Sequence, residues 1–204
     1  MSLPMGNTAG SRPGGTGPDR AQAALGVLRA GDLPGWTGTP TEHDPTDDSV
    51  EADLYHCLGL TPPHFAGRDY GITYSKGKTL IVTSADVVGS ARTAITTAQA
   101  TGRPGHANCF ANQITDDVEK AAVDVRALSV KPTKANVTGA DEVFAFRVVA
   151  DVSGPQGEVT VNLYRVDATL GQTEITISQI VTDAAPSPAR VDALAALAVS
   201  RVKH

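Results

Sequence analysis

Two cysteines and three nearby histidines are the residues of this chain whose types and spacing could support chemistry. Cys109 lies three residues after His106 in "GHANCF", and Cys57 directly follows His56 in "DLYHCLGL". Thiols of this kind serve as catalytic nucleophiles, as ligands of a metal such as zinc, or as halves of a disulfide. The choice among these three roles decides which class of protein the sequence describes.

A catalytic cysteine requires a lowered thiol pKa, usually supplied by a helix N-terminus or a neighbouring histidine. Cys109 meets part of that requirement, because it is expected in the first turn of a helix with His106 three residues before it. However, no glycine-rich elbow surrounds Cys109, and none of the local signatures of cysteine hydrolases is present. We therefore predict no catalytic residue.

A metal site would draw its ligands from His56, Cys57, His64, His106 and Cys109. On one helix, His106 and Cys109 at a spacing of three can converge, whereas the adjacent His56 and Cys57 point in different directions. Neither pair has the C-x-x-C spacing that is common in zinc sites. We predict no metal and no other cofactor, and we keep the metal site as an alternative to the disulfide.

A disulfide requires only an oxidising compartment and proximity of the two thiols. Cys57 and Cys109 form an even count with no cysteine left over, and they lie on two helices that can pack side by side. Closing a loop of about 50 residues contributes roughly 4 kcal/mol in the chain-entropy model. The favoured interpretation is therefore a structural disulfide in an exported domain, with two unpaired thiols as the remaining alternative.

Acidic residues form two clusters that could suggest general acid and base chemistry. Asp116, Asp117 and Glu119 share one predicted helix, and Asp141 and Glu142 precede a predicted strand. No His, Ser or Lys accompanies either cluster in a catalytic pattern. Acidic pairs at helix surfaces and turns are usually solvated, so the chain is predicted not to be an enzyme.

Composition excludes several other classes of protein. Of the 204 residues, 41% are hydrophobic but only 4% are aromatic, so the core must consist of Val, Ala, Leu and Ile, which favours β-structure. The net charge of −5, without a basic run, argues against nucleic acid as a partner. No apolar stretch approaches the roughly 18 residues that span a bilayer. Trp36 and Tyr55 could line a recognition pocket, but packing onto the sheet is the favoured use.

The elements that must position the cysteines follow from hydrophobic periodicity and from turn and cap residues. Ser90 and Ser187 are predicted to cap helices, and Asp48 or Ser49 is predicted to cap the helix that carries Cys57. The predicted helices occupy residues 19–30, 50–59, 91–101, 105–122 and 188–202. The predicted strands occupy residues 70–75, 78–88, 123–130, 142–152, 158–169 and 173–181, with a turn at Lys76 and Gly77 between the first two.

The order of these elements predicts an α+β domain. Most strands follow one another through short turns, which antiparallel pairing allows, and only one helical crossover separates strands. The expected architecture is a twisted antiparallel sheet with helices packed mainly on one face. Residues 1–18 are expected to be an expression scar, "MSL", plus a flexible tether rich in Gly and Pro, and 19–204 a single extracytoplasmic domain.

Several segments in this order resemble a family of exported actinobacterial proteins. They are "LRAGDLPGWT", "DLYHCLGL", "TLIVTSADVVGSARTA", "HANCFANQI" and "LAALAVSRV". The family comprises secreted or lipid-anchored proteins related to the extracellular sensor domain of mycobacterial PknH-type receptor kinases, and the resemblance spans roughly residues 25–203. It implies an antiparallel sheet with helices on one side, a ligand cleft, and Cys57 with Cys109 as a structural bridge. The family's kinase sensor domains carry more than one disulfide, whereas this chain has one pair at most, and no catalytic residue carries over.

Together these observations lead to a functional expectation. The chain is expected to be a non-enzymatic extracytoplasmic ligand-binding or sensor-like module, secreted or tethered to the membrane through a removed N-terminal anchor. Its partner would be a small molecule or a cell-envelope component. The alternative is a carrier of lipid or another apolar molecule, with the apolar strands "TLIV" and "VFAFRVV" lining its cavity.

Overall fold

The computed structural model describes residues 17–42, 45–120, 124–154 and 157–204, with the side chains of all of these except 45–50, 104 and 116–120. Of the predicted tether, residues 1–16 lie outside the described residues. The helices are α1 Gly17–Ala23, α2 Pro45–Cys57, α3 Ala91–Thr101, α4 Pro104–Lys120 and α5 Pro188–Val202. The strands are β1 Thr37–Pro40, β2 Phe65–Asp69, β3 Ile72–Lys76, β4 Thr79–Val88, β5 Asp124–Thr133, β6 Glu142–Gly154, β7 Gly157–Leu170 and β8 Thr173–Thr182.

All eight strands belong to one antiparallel sheet with the order β1-β3-β4-β8-β7-β6-β5, and β2 pairs with β4 beside this path. One edge of β4 is shared: β3 pairs with its first half and β2 with its second half. Gly71 joins β2 to β3 at φ +58°, and a Cβ there would lie 2.7 Å from Val27 Cβ. Glycine is therefore needed at this corner of the sheet.

Alternation along the central strands gives the sheet two different faces, because successive side chains of a strand point to opposite sides. On β8, Ile175 and Ile177 are fully buried in the main hydrophobic core, whereas Glu174 and Thr176 line a cavity. The core side is covered by α1 and α5, which contribute Ala23, Val191 and other apolar residues to the same cluster. The cavity side is covered by α2, α3 and α4.

The predicted α+β architecture with an antiparallel sheet is confirmed, and the helices are distributed over both faces rather than mainly one. The predicted cap of α3 is also confirmed, since Ser90 accepts a hydrogen bond from the Thr93 N–H at 3.1 Å. The predicted turns at Gly77 and Gly171 have φ values of +58° and +57°. In contrast, the predicted cap at Asp48 or Ser49 is wrong, because α2 begins at Pro45 and proline suits the first turn of a helix.

Helix α5 is fixed to the core side by polar contacts at both of its ends. Near its start, the Tyr164 hydroxyl donates to Asp192 Oδ1 at 2.9 Å. Near its end, Arg201 donates to both carboxylate oxygens of Asp32, at 2.8 and 2.5 Å. The hydrogen bonds from Arg201 lower the pKa of Asp32, so this pair stays ionised in neutral solution. Ser187 precedes α5 at the predicted cap position, without a side-chain cap hydrogen bond.

None of the helices within the described ranges combines the length and apolarity that crossing a membrane requires.

Candidate functional site

Polar side chains from four neighbouring strands line up across the sheet on the side covered by α3. Antiparallel pairing places Arg68 of β2 opposite Asp86 of β4, and Asp86 opposite Glu174 of β8. One pair further along, Thr176 of β8 lies opposite Asp167 of β7. The sheet thus presents a connected surface of charged and hydroxyl groups where a globular domain usually has apolar residues.

Helices α2, α3 and α4 cover this surface and leave a cavity of about 280 Å³, which we call the polar cavity. Tyr55 and Leu58 contribute to it from α2, Thr97 from α3, and His106 and Phe110 from α4. The cavity is slightly smaller than the roughly 300–1,000 Å³ that holds a drug-sized ligand. It therefore has room for a small molecule.

Arg68 is the centre of an ion-pair network at one end of the polar cavity. Its guanidinium donates from Nε to Asp86 Oδ1 and from Nη2 to Glu51 Oε2, the latter at 2.5 Å. The group also lies over the Phe65 ring, 4.1 Å from its centroid, in a cation–π contact. Burial alone would lower the pKa of Arg68, but the carboxylates of Asp86 and Glu51 outweigh it and raise the pKa. Arg68 is therefore a fixed cation that connects β2, β4 and α2.

A second, smaller network surrounds Arg165 on β7. Arg165 donates from Nε to Asp167 Oδ1 at 2.8 Å, and the Thr176 hydroxyl donates to the same oxygen at 2.7 Å. The guanidinium carbon lies 5.7 Å from the centroid of the Phe146 ring. Burial would lower the pKa of Arg165, and Asp167 outweighs that effect and raises it. The charge of this arginine is thus neutralised within the wall of the cavity.

Glu174 differs from the other carboxylates because no cation of the described residues pairs with it. Its Oε1 is buried and has no hydrogen-bond donor within that part of the chain, and the same holds for Asp167 Oδ2. Burial, followed by the charges of Asp86, Glu51 and Asp167, raises the pKa of Glu174 well above 4.5. Burial also raises the pKa of Glu51, against the opposing effect of Arg68. Two carboxylates of the cavity wall therefore each have a buried oxygen without a donor among the described residues.

His106 lies at the apolar end of the polar cavity. Its imidazole stacks on Phe110 with 5.9 Å between ring centroids and lies 5.5 Å from the Phe146 ring. Burial lowers its pKa, so the ring is neutral at pH 7. No hydrogen bond joins this imidazole to a serine, a threonine or a cysteine in the described ranges.

The two cysteines are joined in the structure by a disulfide with a Cα–Cα distance of 5.8 Å. Cys57 is the last residue of α2, and Cys109 lies in the first half of α4. The bond ties together the two helices at the outer wall of the polar cavity. Of the other proposed metal ligands, His106 lies in the cavity wall, and no group of three metal-ligating side chains is found among the residues that the structure describes.

The acidic clusters singled out from the sequence do not form the cavity. Asp141 accepts a hydrogen bond from Gly171 N–H in a turn, and the side chains of Asp116, Asp117 and Glu119 lie outside the described residues. Of the two aromatic residues, Tyr55 lines the polar cavity, whereas Trp36 packs against the hydrophobic core.

Sequence analysis missed the charged strand residues that line the polar cavity. Their only signal in the sequence is a charged residue at a polar position of an alternating strand. Asp86 interrupts "TLIVTSADVV", Arg165 and Asp167 interrupt "EVTVNLYRVDAT", and Glu174 begins "TEITISQIV". Such charges normally indicate the solvent face of a half-buried sheet. Only the tertiary structure shows that helices cover this face.

Solved structures with a similar fold were found by comparison of the whole chain, and the first of them shares this architecture. The extracellular domain of PknH from Mycobacterium tuberculosis matches with a TM-score of 0.50 at 10% identity, over 90% of this chain and 96% of that one. An uncharacterised protein from Mycobacterium smegmatis, the Rv0999 ortholog, matches with a TM-score of 0.48 at 12% identity, over 92% of this chain and 99% of that one. No protein-family model and no curated protein sequence matches the chain. The chain therefore has a fold similar to that of the PknH extracellular domain.

Proposed function

We propose that this chain is a non-enzymatic, extracytoplasmic ligand-binding domain of the sensor type, which takes a small polar molecule in the polar cavity. The observation that carries the proposal is the covered polar surface formed by Arg68, Asp86, Asp167 and Glu174. A sheet face that served only stability would be filled with apolar side chains, since buried polar groups cost free energy unless they are paired. Similarity to the fold of a kinase's extracellular domain supports the same function.

An extracytoplasmic location is part of this proposal. Disulfides persist in oxidising compartments and are rare in the cytosol, and the chain carries one between Cys57 and Cys109. The domain would be secreted or attached to the outer face of the cell membrane through a lipid anchor, with a small molecule or a cell-envelope component as its partner.

A ligand screen by thermal unfolding tests the proposal. Polar cell-wall fragments and metabolites should include a compound that stabilises the protein, by about 2.7 kcal/mol at 100 times its dissociation constant. Thr97→Phe places a ring in the polar cavity and should abolish that stabilisation. Thr96→Phe is the matched control, because Thr96 is the exposed neighbour on the same helix. Stabilisation that persists in the Thr97 variant, or its complete absence in the wild type, contradicts the proposal.

The alternative function, transport of a lipid or another apolar molecule, fits the structure less well. The strands proposed to line its cavity direct Ile81, Phe146 and Val148 into packed, buried positions. An acyl chain in the polar cavity would have to lie against charged groups and remove their remaining water. Native mass spectrometry of the purified protein should show no co-purified lipid, and a retained lipid of constant mass would favour the carrier.

A further inference from the structure

Among the described residues of the polar cavity, carboxyl groups outnumber guanidinium groups. The described residues of its wall include four carboxylates and two guanidinium groups, an excess of two carboxylates. The carboxylates are Glu51, Asp86, Asp167 and Glu174, and the guanidinium groups belong to Arg68 and Arg165. A site with this balance favours a ligand that brings positive charge.

Both arginines are already paired with carboxylates of the cavity wall. Arg68 is bound to Asp86 and Glu51, and Arg165 is bound to Asp167. An anionic ligand would have to replace one of these internal partners and leave a buried carboxylate without its cation, which is strongly unfavourable. The structure thus opposes an anionic ligand as well as favouring a cationic one.

Two carboxylates that line the polar cavity each have an oxygen without a hydrogen-bond donor among the described residues. Glu174 Oε1 and Asp167 Oδ2 are both buried, and both lack a donor among the residues described. Asp167 lies opposite Thr176, two residues beyond Glu174 on β8, so the two carboxylates are diagonal neighbours on one face of the sheet. Diagonal neighbours in a sheet are about 7–8 Å apart at Cα, so a single small molecule can reach both side chains.

The opposite wall of the polar cavity is apolar. Leu54 and Leu58 contribute to it from α2 and Phe110 from α4. A ligand that fills the cavity therefore needs an apolar part on the side of these helices and hydrogen-bond donors on the side of the sheet.

We propose that the ligand is a small organic cation, an amine or a guanidine attached to a short apolar or aromatic body, whose N–H groups donate to the carboxylates of Glu174 and Asp167. This inference rests on the proposed ligand-binding function of the same cavity and names the chemical class of its ligand. Glu174 is the residue that gives the site its preference for a cation, because it has no internal cationic partner among the described residues.

The charges that face Glu174 lead to a pH dependence of binding. Burial and the neighbouring carboxylates raise the pKa of Glu174 in the free protein, and a bound cation favours its ionised form, so binding releases a proton to solvent. Affinity for a cation should therefore rise with pH, by up to about tenfold per unit. The described titratable and charged groups that line the cavity with Glu174 are Glu51 and Tyr55 of α2, Arg68 of β2, Tyr70, Asp86 of β4, His106 of α4, and Arg165 and Asp167 of β7.

Calorimetric titration with three molecules of similar shape tests this inference. Phenethylammonium carries a positive charge, 2-phenylethanol is neutral, and 3-phenylpropionate is negative. We expect the wild type to bind phenethylammonium at least about tenfold more tightly than the other two, and to bind it more tightly as pH rises. Glu174→Gln should weaken the binding of phenethylammonium by about 10- to 100-fold and leave the affinity for 2-phenylethanol unchanged. Glu158→Gln is the control, since Glu158 is exposed at the start of β7.

The outcomes separate this inference from the proposed function. Equal binding of the three probes, a preference for the carboxylate, or phenethylammonium binding that is unchanged in Glu174→Gln overturns the cation assignment. The ligand-binding function then still stands if a neutral or anionic compound stabilises the wild type but not Thr97→Phe. Absence of binding by all three probes and by every compound of the broader screen overturns both.

Discussion

The two faces of the central sheet use the same strands for different purposes. On the side of α1 and α5, residues such as Ile177 and Val166 are fully buried and packed into one continuous core. On the side of α3 and α4, the residues between them in sequence are charged or carry hydroxyl groups, and a cavity of about 280 Å³ remains. The first face supplies stability, because it removes apolar surface from water.

The difference also extends to how the covering helices are held. Helix α5 is joined to the core side by buried apolar residues and by the ion pair of Arg201 with Asp32. Helix α2 packs against α4, is tied to it by the disulfide, and contacts the sheet side through the ion pair of Glu51 with Arg68. Helix α2 on the cavity side is thus held by one covalent bond and polar contacts, whereas α5 on the core side is also held by buried apolar residues.

Removing the disulfide should produce the largest effect. Cys57 and Cys109 are separated by 52 residues, so a variant with both replaced by Ala should lose about 4 kcal/mol of unfolding free energy in urea. Mass analysis with thiol alkylation should find no modified thiols in protein exported into an oxidising compartment, and two after reduction. Two thiols that react without reduction would show that no disulfide links α2 to α4, and the metal site would again become the alternative interpretation.

A cavity on the core side should have the next largest effect. Ile177 is 0% exposed, so Ile177→Ala should reduce the free energy of unfolding by about 3 kcal/mol. Ile177→Val, which removes a single methylene, should cost about 1 kcal/mol. Urea titrations of both variants provide the measurement. A cost below 1 kcal/mol for the Ala variant would mean that the core side is not the main source of stability.

The neighbouring residue on the opposite face should matter less. Thr176→Val keeps the shape of the side chain and removes its hydrogen bond to Asp167, whose Oδ1 still receives one from Arg165. The expected loss is about 1 kcal/mol in the same titration. A loss as large as that of Ile177→Ala would contradict the division of roles between the faces.

Glu174 should have the smallest effect, and one that grows with pH. Its pKa is raised above the ordinary value of 4.5 in the folded protein, so above pH 4.5 the folded state retains a proton that the unfolded state has lost. Raising the pH through this window therefore destabilises the fold, until the folded carboxyl has also ionised. Glu174→Gln should gain stability relative to the wild type as pH increases, whereas Glu158→Gln should not. Parallel pH profiles for wild type and Glu174→Gln would show that Glu174 is not a buried, unpaired acid.

Local structure was predictable because its signals are local. Ser90 caps α3, the hairpins turn at Gly77 and Gly171, and an apolar stripe with Pro188 in its first turn forms α5. Prediction from the sequence failed where contacts distant in the sequence decide the end of an element. The predicted helix from Asp19 to Ala30 ends at Ala23, and the chain then passes Gly26, where a Cβ would lie 2.9 Å from Ala85 Cβ. That close approach depends on residues far away in the sequence.

The disulfide partners were predictable by number alone, since two cysteines allow only one pairing. The polar cavity was not, because it combines residues from β2, β4, β7 and β8 through the register of strand pairing. Each charge taken alone looks like a solvent-facing residue of an alternating strand. Whether such a charge is buried depends on the helices that cover it, and hydrophobic periodicity does not predict where those helices pack.

The strict alternation of β8 also affects how accurately the chain folds. A slip of this central strand by one residue would turn Glu174 and Thr176 toward α5 and place Ile175 and Ile177 among the charges. Such a misaligned sheet would bury a carboxylate among apolar residues and place apolar residues against charged groups. The slipped register is therefore unfavourable on both faces of the sheet. The residues that line the polar cavity therefore also discriminate against wrong strand pairing, and replacing them all by apolar residues would remove that discrimination.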